Sequence, residues 1–492
     1  MTKFRRKERN NSANYIIQLF VGTALMVSLF FVASSIYINE EPLKGDSKTK
    51  TANDIPRRPL ILKKPKKHRV KDPIADVSPK KDTKTSALAE PNYHIVFSTD
   101  CSGYQKWQSY LLFYSAYKVQ QPGTITRIAS GCTEEEEAIE REFHSDISQH
   151  MSSNFKLHLT PRFSKVKDEN GETTNKKYEY FNKPFGLLHW IEHSEEKIMD
   201  DDIVILLDPD QVLTRKITND FSNQAENLLF GDNPKTIVTH GSPFAQKYGF
   251  GAQWQNLDIE KVTGTKDSPA KNVSRKDAFA HYPVGPPYLA TARDMHLIAR
   301  TWAEFVPRSH KEHPHLMAEM YAYCIAAAHL ELPHQIVRSL MVSSVDGGTG
   351  ERSGEGWKLV QAIDDEQICS PTVMVDNILP SVIHYCQRYI LGKHFFGKRR
   401  MPKDIFSCES PLLSLPAQDV ANKYDYYVPP AGTYGEKKEL NGNSSKQTAF
   451  MVCALTRLVN EASSFYQSKN CETPKDAHVE IDLWSGKVMK KQ

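Results

Sequence analysis

The chain has 492 residues, 39% hydrophobic and 25% charged, with a formal net charge of +4. That small excess sits in a basic N-terminal tail and in residues 39–90, without interleaved aromatics, so it marks no nucleic-acid partner. Eight cysteines occur without a Cys-x-x-Cys pair, which excludes a zinc ribbon, and there is no phosphate-loop or redox motif.

Residues 1–14 read as a basic tail carrying Lys3, Arg5, Arg6, Lys7 and Arg9. From Tyr15 to Ile38 no side chain is charged, and Glu40 and Glu41 follow directly. A bilayer core takes about 20 apolar residues at helical rise, and only a helix satisfies the backbone there. The charge asymmetry predicts a signal-anchor over 15–38, with the tail cytosolic and the rest of the chain across the membrane. The competing reading is a cleaved signal peptide ending near Ala33 and Ser35, but its apolar region would span only about 7–15 residues. Residues 39–90 are rich in Lys, Pro, Asp, Ser and Thr and read as a flexible stem.

A globular region is expected over 91–408, with a C-terminal extension over 409–492. All eight cysteines lie beyond the stem, in a number that allows up to four disulfides. Sequons at Asn272 and Asn443 agree with exposure to a secretory lumen. His94 to Thr99 predicts a strand and Tyr104 to Val119 a helix, ended by Gln121-Pro122-Gly123. Thr124 to Ala129 reads as a second strand. Thr133 is placed to cap a helix that opens on Glu134 to Glu137. Cys101 and Cys132 follow adjacent strands at one sheet edge, which predicts a disulfide between them. Asn182 is expected to cap a further helix with Pro184 in its first turn. Asp202 to Leu207 is an almost wholly apolar run, the pattern of a parallel strand covered on both faces. Alternating strands and helices predict a doubly wound α/β sheet.

Asp208-Pro209-Asp210 closes that strand, at the edge where open α/β sheets bind ligands. If the segment is extended, the two carboxylates project to the same side and can hold a divalent cation. Asp-Pro-Asp is also good turn chemistry, so both readings stand. Ser381 to Tyr385 reads as another strand reaching the same edge. Beyond it, His394 to Arg400 is basic and aromatic, and is either a lid over phosphates or surface packing. Thr448 to Tyr466 predicts a helix packed back on the domain, with Cys471 tied down by a disulfide.

An ordered set of segments resembles one family. It comprises Phe97-Ser98-Thr99-Asp100-Cys101, Tyr104, Trp107-Gln108, Gln121-Pro122-Gly123, Thr126-Arg127, Asn182-Lys183-Pro184, His189-Trp190, Asp208-Pro209-Asp210, Pro286-Pro287-Tyr288, Glu319 to Tyr323 and His384-Tyr385. Together these are similar to the peptidyl-serine α-galactosyltransferases and the related hydroxyproline O-arabinosyltransferases. The first branch usually carries Asp-Ala-Asp and the second Glu-Pro-Asp; Asp-Pro-Asp lies between them. The resemblance implies a GT-A-like nucleotide-diphospho-sugar transferase fold, a UDP-sugar donor, and transfer of galactose or arabinofuranose with retention to Ser or hydroxyproline of secretory proteins. It implies a Golgi or endoplasmic reticulum enzyme. Thr99, Asp100, Arg127 and Lys183 would meet the donor, Asp208 and Asp210 the metal and donor ribose, and Glu319 the acceptor or the transition state, while His384 would match the late histidine that completes the metal site with Asp208 and Asp210, favouring Mn²⁺ over Mg²⁺ because one ligand is an imidazole. Each has a plainer reading: Arg127 as a structural ion pair, His384 as a core histidine, Glu319 as a solvated charge, and Trp107 and Trp190 as helix packing. A transferase acting on polysaccharide or lipid, or a non-catalytic sugar-binding relative, would share much of this pattern.

Overall fold

The structure is a computed structural model that describes residues 91–167, 171–345, 356–427, 438–472, 479–483 and 485–490. The expected tail, membrane anchor and stem lie outside the described residues. Among the described residues no helix is long and apolar enough to cross a membrane.

The chain opens on β1 (Tyr93–Asp100), α1 (Gly103–Lys118), β2 (Thr124–Ser130), α2 (Glu134–His150) and β3 (Phe155–Thr160). Then come α3 (Asn182–His193), β4 (Ile203–Leu207), β5 (Gln211–Leu213), β6 (Phe244–Lys247), β7 (Val284–Thr291), α4 (Ala292–Glu312) and α5 (Ala318–His329). The last part holds β8 (Gln335–Val337), β9 (Met341–Val342), β10 (Val382–His384), β11 (Arg388–Leu391), β12 (His394–Gly397) and α6 (Gly442–Asn470). The main sheet has seven strands in the order β8-β6-β7-β4-β1-β2-β3.

Period-two alternation decides which side chain enters which layer. Ile95, Phe97, Ile125, Ile203, Ile205 and Leu207 share one core with Leu111 and Phe113 of α1 and Phe450 and Leu455 of α6. Val96, Ile128, Val204 and Leu206 share the other with Leu187 and Trp190 of α3 and Trp302 of α4. The near-continuous apolar strands are therefore covered on both faces, as the composition of Ile203–Leu207 requires. Trp107 and Trp190 are both packing residues, almost wholly buried.

The expected parallel sheet needs one correction. β4, β1, β2 and β3 are parallel neighbours, but β7 runs antiparallel between β4 and β6. Nothing local in Val284–Thr291 encodes strand direction. A second correction concerns Asn182. The 3₁₀ turn Glu179–Phe181 runs straight into α3, so Asn182 is inside the helix rather than capping it, and its Oδ1 accepts from the Phe163 N–H at 3.2 Å. Thr133 caps α2 as expected. Its hydroxyl accepts from the Glu136 N–H and the Glu136 carboxylate accepts from the Thr133 N–H, a complete capping box.

Cys101 and Cys132 are disulfide-bonded with Cα atoms 5.3 Å apart. Cys408 pairs with Cys471, as expected for the end of α6, and Cys369 pairs with Cys453 in its middle. Cys324 and Cys386 are free, so the four possible disulfides reduce to three among the described residues. The α6 helix packs Phe465 and Tyr466 against Tyr114 and Tyr110 of α1.

One glycine is demanded by geometry. Gly123 has φ +90°, and a Cβ there would sit 2.1 Å from the Tyr93 carbonyl oxygen. Gly123→Ala is expected to destabilise the fold by about 2 kcal/mol or more, read as a fall in urea midpoint at unchanged slope. A midpoint equal to that of the parent would contradict this account of the turn.

Candidate active site

The parallel strands β1 and β4 run side by side to one edge, leaving Asp100 at the end of one and Asp208 just beyond the other. Asp208 to Gln211 form a tight turn in which the Gln211 N–H donates to the Asp208 carbonyl at 3.1 Å. The segment is thus the turn that Pro209 favours, not the extended strand needed for the i, i+2 argument. The carboxylates converge all the same, because Gln211 latches the turn. Its fully buried amide accepts from the Asp208 N–H at 3.0 Å and donates to the Pro286 carbonyl at 3.1 Å.

His384 is delivered by strand register. β5 follows the turn directly and pairs antiparallel with β10, setting His384 opposite Gln211. The Tyr385 N–H then donates to the Asp210 carbonyl at 3.0 Å. Asp208, Asp210 and His384 each offer a ligand atom, and these atoms lie within 4.8 Å of one another. Among the described residues no other group of three acidic, histidine or cysteine side chains is this compact. Two carboxylates and one imidazole suit a divalent ion of the Mn²⁺ type and leave positions open for phosphate oxygens and water.

Three basic groups surround these acids. His384 Nε2 is 3.2 Å from Asp210 Oδ1, and Lys398 Nζ is 2.5 Å from Asp210 Oδ2. Burial opposes ionisation of Asp210, but His384 and Lys398 outweigh it and hold its carboxyl well below the usual carboxylate range. Lys183 Nζ is 2.7 Å from Asp208 Oδ1 and 3.3 Å from Glu319 Oε1. Burial would lower the Lys183 ammonium, yet Asp208 and Glu319 together push it up, so it stays charged. Lys183 is therefore engaged with protein carboxylates beside the turn, and α3 sets its position.

Glu319 is not a solvated charge. It is 2% exposed in the first turn of α5, and its Oε1 faces Lys183 without an aligned hydrogen bond. Burial, with Asp208 adding repulsion, raises its carboxyl to about 7 against the opposing pull of Lys183. Lys183 gives its shorter contact to Asp208, so Glu319 receives the weaker share of the cation. A carboxyl whose folded value is raised from 4.5 to about 7 contributes stability below the lower value and loses it as pH rises through the higher one. In chelator, the wild type is thus expected to lose stability between those pH values relative to Glu319→Gln, by on the order of 3 kcal/mol. Urea midpoints taken at steps of pH read this; parallel curves for the two proteins would contradict it.

Arg127 departs from its expected place. It is 1% exposed, and it faces inward rather than toward a ligand. Its Nη1 is 2.5 Å from Glu140 Oε2, its Nε donates to Thr99 Oγ1 at 2.9 Å, and its Nη2 donates to the Asp100 carbonyl at 3.2 Å. The structural ion pair is the correct reading: Arg127 props the end of β1 from behind. The Thr99 hydroxyl is taken up in the same contact and is buried. Asp100 remains partly exposed at the strand end, with its carboxylate accepting from the Ser102 N–H at 2.8 Å.

Two residues of this constellation escape a reading by motif. Gln211 carries no sequence signal beyond its position after Asp-Pro-Asp. Lys398 belongs to the basic run His394 to Arg400, and the hairpin of β11 and β12 turns that run back so that one lysine meets Asp210.

Residues 93–336 match the family model described as the hydroxyproline O-arabinosyltransferase family N-terminal domain. The match covers just under half of the chain. The peptidyl serine alpha-galactosyltransferase of Arabidopsis thaliana is 29% identical over 177 residues, which is 36% of this chain and 18% of that protein. The protein of the same name from Chlamydomonas reinhardtii is 24% identical over 212 residues, 43% of this chain and 24% of that protein. The matched stretch thus spans under a quarter of the length of either relative. Among solved structures, the galactosyltransferase LgtC in complex with donor and acceptor sugar analogues covers 60% of this chain and 87% of its own, at 14% identity and a TM-score of 0.33. The WbbM bifunctional glycosyltransferase covers 61% of this chain and 47% of its own, at 8% identity and a TM-score of 0.32. At such scores neither structure decides anything about this chain. His384 and Lys398 lie beyond the family match, so their place beside Asp210 rests on the geometry alone.

Proposed function

We propose that this protein is a metal-dependent glycosyltransferase of GT-A type. It moves galactose or arabinofuranose from a UDP-sugar to hydroxyl groups of Ser or hydroxyproline in secretory proteins, with retention at the anomeric carbon. One observation carries the reading: Asp208, Asp210 and His384 converge at the carboxyl edge of the sheet, inside a domain whose greater part matches a sugar-transfer family.

Asp208, Asp210 and His384 would hold Mn²⁺, or Mg²⁺ in its place. The bound ion supplies neutralisation of the charge that builds on the departing diphosphate. Lys398 and Lys183 stand ready to shift from carboxylate to phosphate oxygens, each a compact point charge suited to that exchange. Asp100 stands at the β1 end, where the donor nucleoside would lie. Glu319 is buried beside Lys183 and close to neutral-pH titration, and it orients the acceptor hydroxyl or supports the transition state. The apolar run at 15–38 supports a single-pass anchor in Golgi or endoplasmic reticulum membranes with this domain in the lumen. Protease treatment of sealed microsomes should then spare the domain, whereas digestion from outside would reverse the topology.

The transfer itself is tested with the purified full chain, a panel of UDP-sugars, and peptides containing Ser or hydroxyproline, with products weighed by mass spectrometry. Addition of one sugar to a peptide in Mn²⁺, and none in chelator, is expected. Transfer to polysaccharide or lipid acceptors alone, or no transfer from any donor, would overturn the proposal.

A further inference from the structure

A second cluster of metal-ligating side chains lies at the far edge of the main sheet. β3 is the outermost strand there. Phe155 packs against Phe113 on the side of α1. By strand alternation His158, three residues on, faces the opposite layer, where α3 runs. On α3, His189 and His193 are four residues apart and so share one helix face. His158 Nε2 lies 2.9 Å from His189 Nδ1. The His193 ring stacks on His189 with centroids 4.4 Å apart and an interplanar angle of 23°. All three line a cleft of about 980 Å³ between α2 and α3, whose rim also carries Lys156, Glu195 and Glu196.

We propose that His158, His189 and His193 form a binding site for a late first-row divalent cation, Zn²⁺ being the natural occupant, that clips α3 to the edge strand. This inference is independent of the sugar-transfer reading. Two imidazole nitrogens bonded to one ion at ~2.0–2.1 Å, at angles between square and tetrahedral, stand ~2.9–3.4 Å apart. The His158–His189 separation already meets that spacing. The third ligand needs one side-chain rotation. His193 Nδ1 is held at 3.0 Å from the His189 carbonyl, and its nitrogens are not yet within ligand spacing of the other two. His193 is exposed, so turning it costs one solvent-accessible hydrogen bond. The cleft leaves a fourth position to water. All-imidazole ligation selects against Mg²⁺ and favours zinc, nickel or copper. The carboxylate-rich set at Asp208 and Asp210 has the opposite preference, so the two sites are chemically distinct.

The test uses the full chain stripped with chelator and then titrated with Zn²⁺, with Co²⁺ as a spectroscopic substitute. Wild type and Asp210→Asn are both expected to take up Zn²⁺ and to give the strong visible Co²⁺ bands of a tetrahedral nitrogen-rich site. His158→Gln and His193→Ala are expected to weaken that binding at least about tenfold and to lose the bands. His193→Ala alters an exposed side chain, so its metal-free unfolding midpoint should match the parent and separate a lost ligand from a lost fold. Equal Zn²⁺ affinity in wild type, His158→Gln and His193→Ala would overturn the site. So would loss of all Zn²⁺ binding in Asp210→Asn.

Discussion

Asp210→Asn is expected to lower sugar transfer by about 10²–10³-fold or more, a loss of roughly 3–4 kcal/mol of transition-state stabilisation. The substitution keeps the shape of the side chain and removes its charge. Asp210 is 7% exposed and touches both His384 and Lys398. Without its carboxylate the cation site loses one of two anionic ligands, and Lys398 loses the partner that positions it. The loss should fall on kcat in saturating donor, and raising Mn²⁺ should recover only part of it. Lys398→Ala should cost less, because it would remove only the proposed phosphate contact and leaves Asp208, Asp210 and His384 in place. A variant with half or more of the parental rate at ordinary Mn²⁺ would remove Asp210 from the chemistry.

The largest loss of stability is expected at Glu140. Glu140→Gln should destabilise the fold by about 3–5 kcal/mol, because it strands the Arg127 guanidinium in the interior. Both partners of that ion pair have side chains only 1% exposed. Lys106 is 3.4 Å from the other Glu140 oxygen and loses a partner as well. Replacing Arg127 by methionine in the same chain should restore a substantial part of the loss, since a buried pair removed whole costs far less than a pair cut in half. Donor affinity should fall along with stability, because Arg127 holds Thr99 and the Asp100 carbonyl at the strand end. Unfolding midpoints of the two single variants and the double variant measure this. A change under about 1 kcal/mol for Glu140→Gln would mean that water reaches the pair.

These two residues mark how far the sequence could be read. Strands β1, β2 and β4 are legible because apolar runs of their length, bounded by turn residues, have one comfortable arrangement, and the capping box at Thr133 is a local pattern with a local cause. The disulfide between Cys101 and Cys132 follows from parallel strands that end at one edge. The direction of β7 is not legible, because a strand buried on both faces looks the same from either end. The Asp208 turn could be read either as an extended pair or as a turn, and only Gln211, a side chain reaching back to its own turn, decides. Arg127 shows the limit most clearly. Its position on β2 points it toward the sheet edge in a motif comparison. Whether it meets a ligand or a carboxylate depends on Glu140, thirteen residues on, across a helix packing that no spacing rule gives. Lys398 is legible as part of a basic run, but selecting that one lysine needs the β11–β12 hairpin.

On the proposed function, Asp208, Asp210 and His384 would hold an ion that in turn holds the donor diphosphate. Calorimetric titration of UDP into the full chain, in Mn²⁺ and in chelator, tests this most directly, since the coupling between ion and nucleotide must be reciprocal. Wild type is expected to bind UDP at least about tenfold more tightly in Mn²⁺, a coupling of about 1.4 kcal/mol, and Asp210→Asn is expected to lose that difference. Equal UDP affinity of the wild type in Mn²⁺ and in chelator would contradict the account.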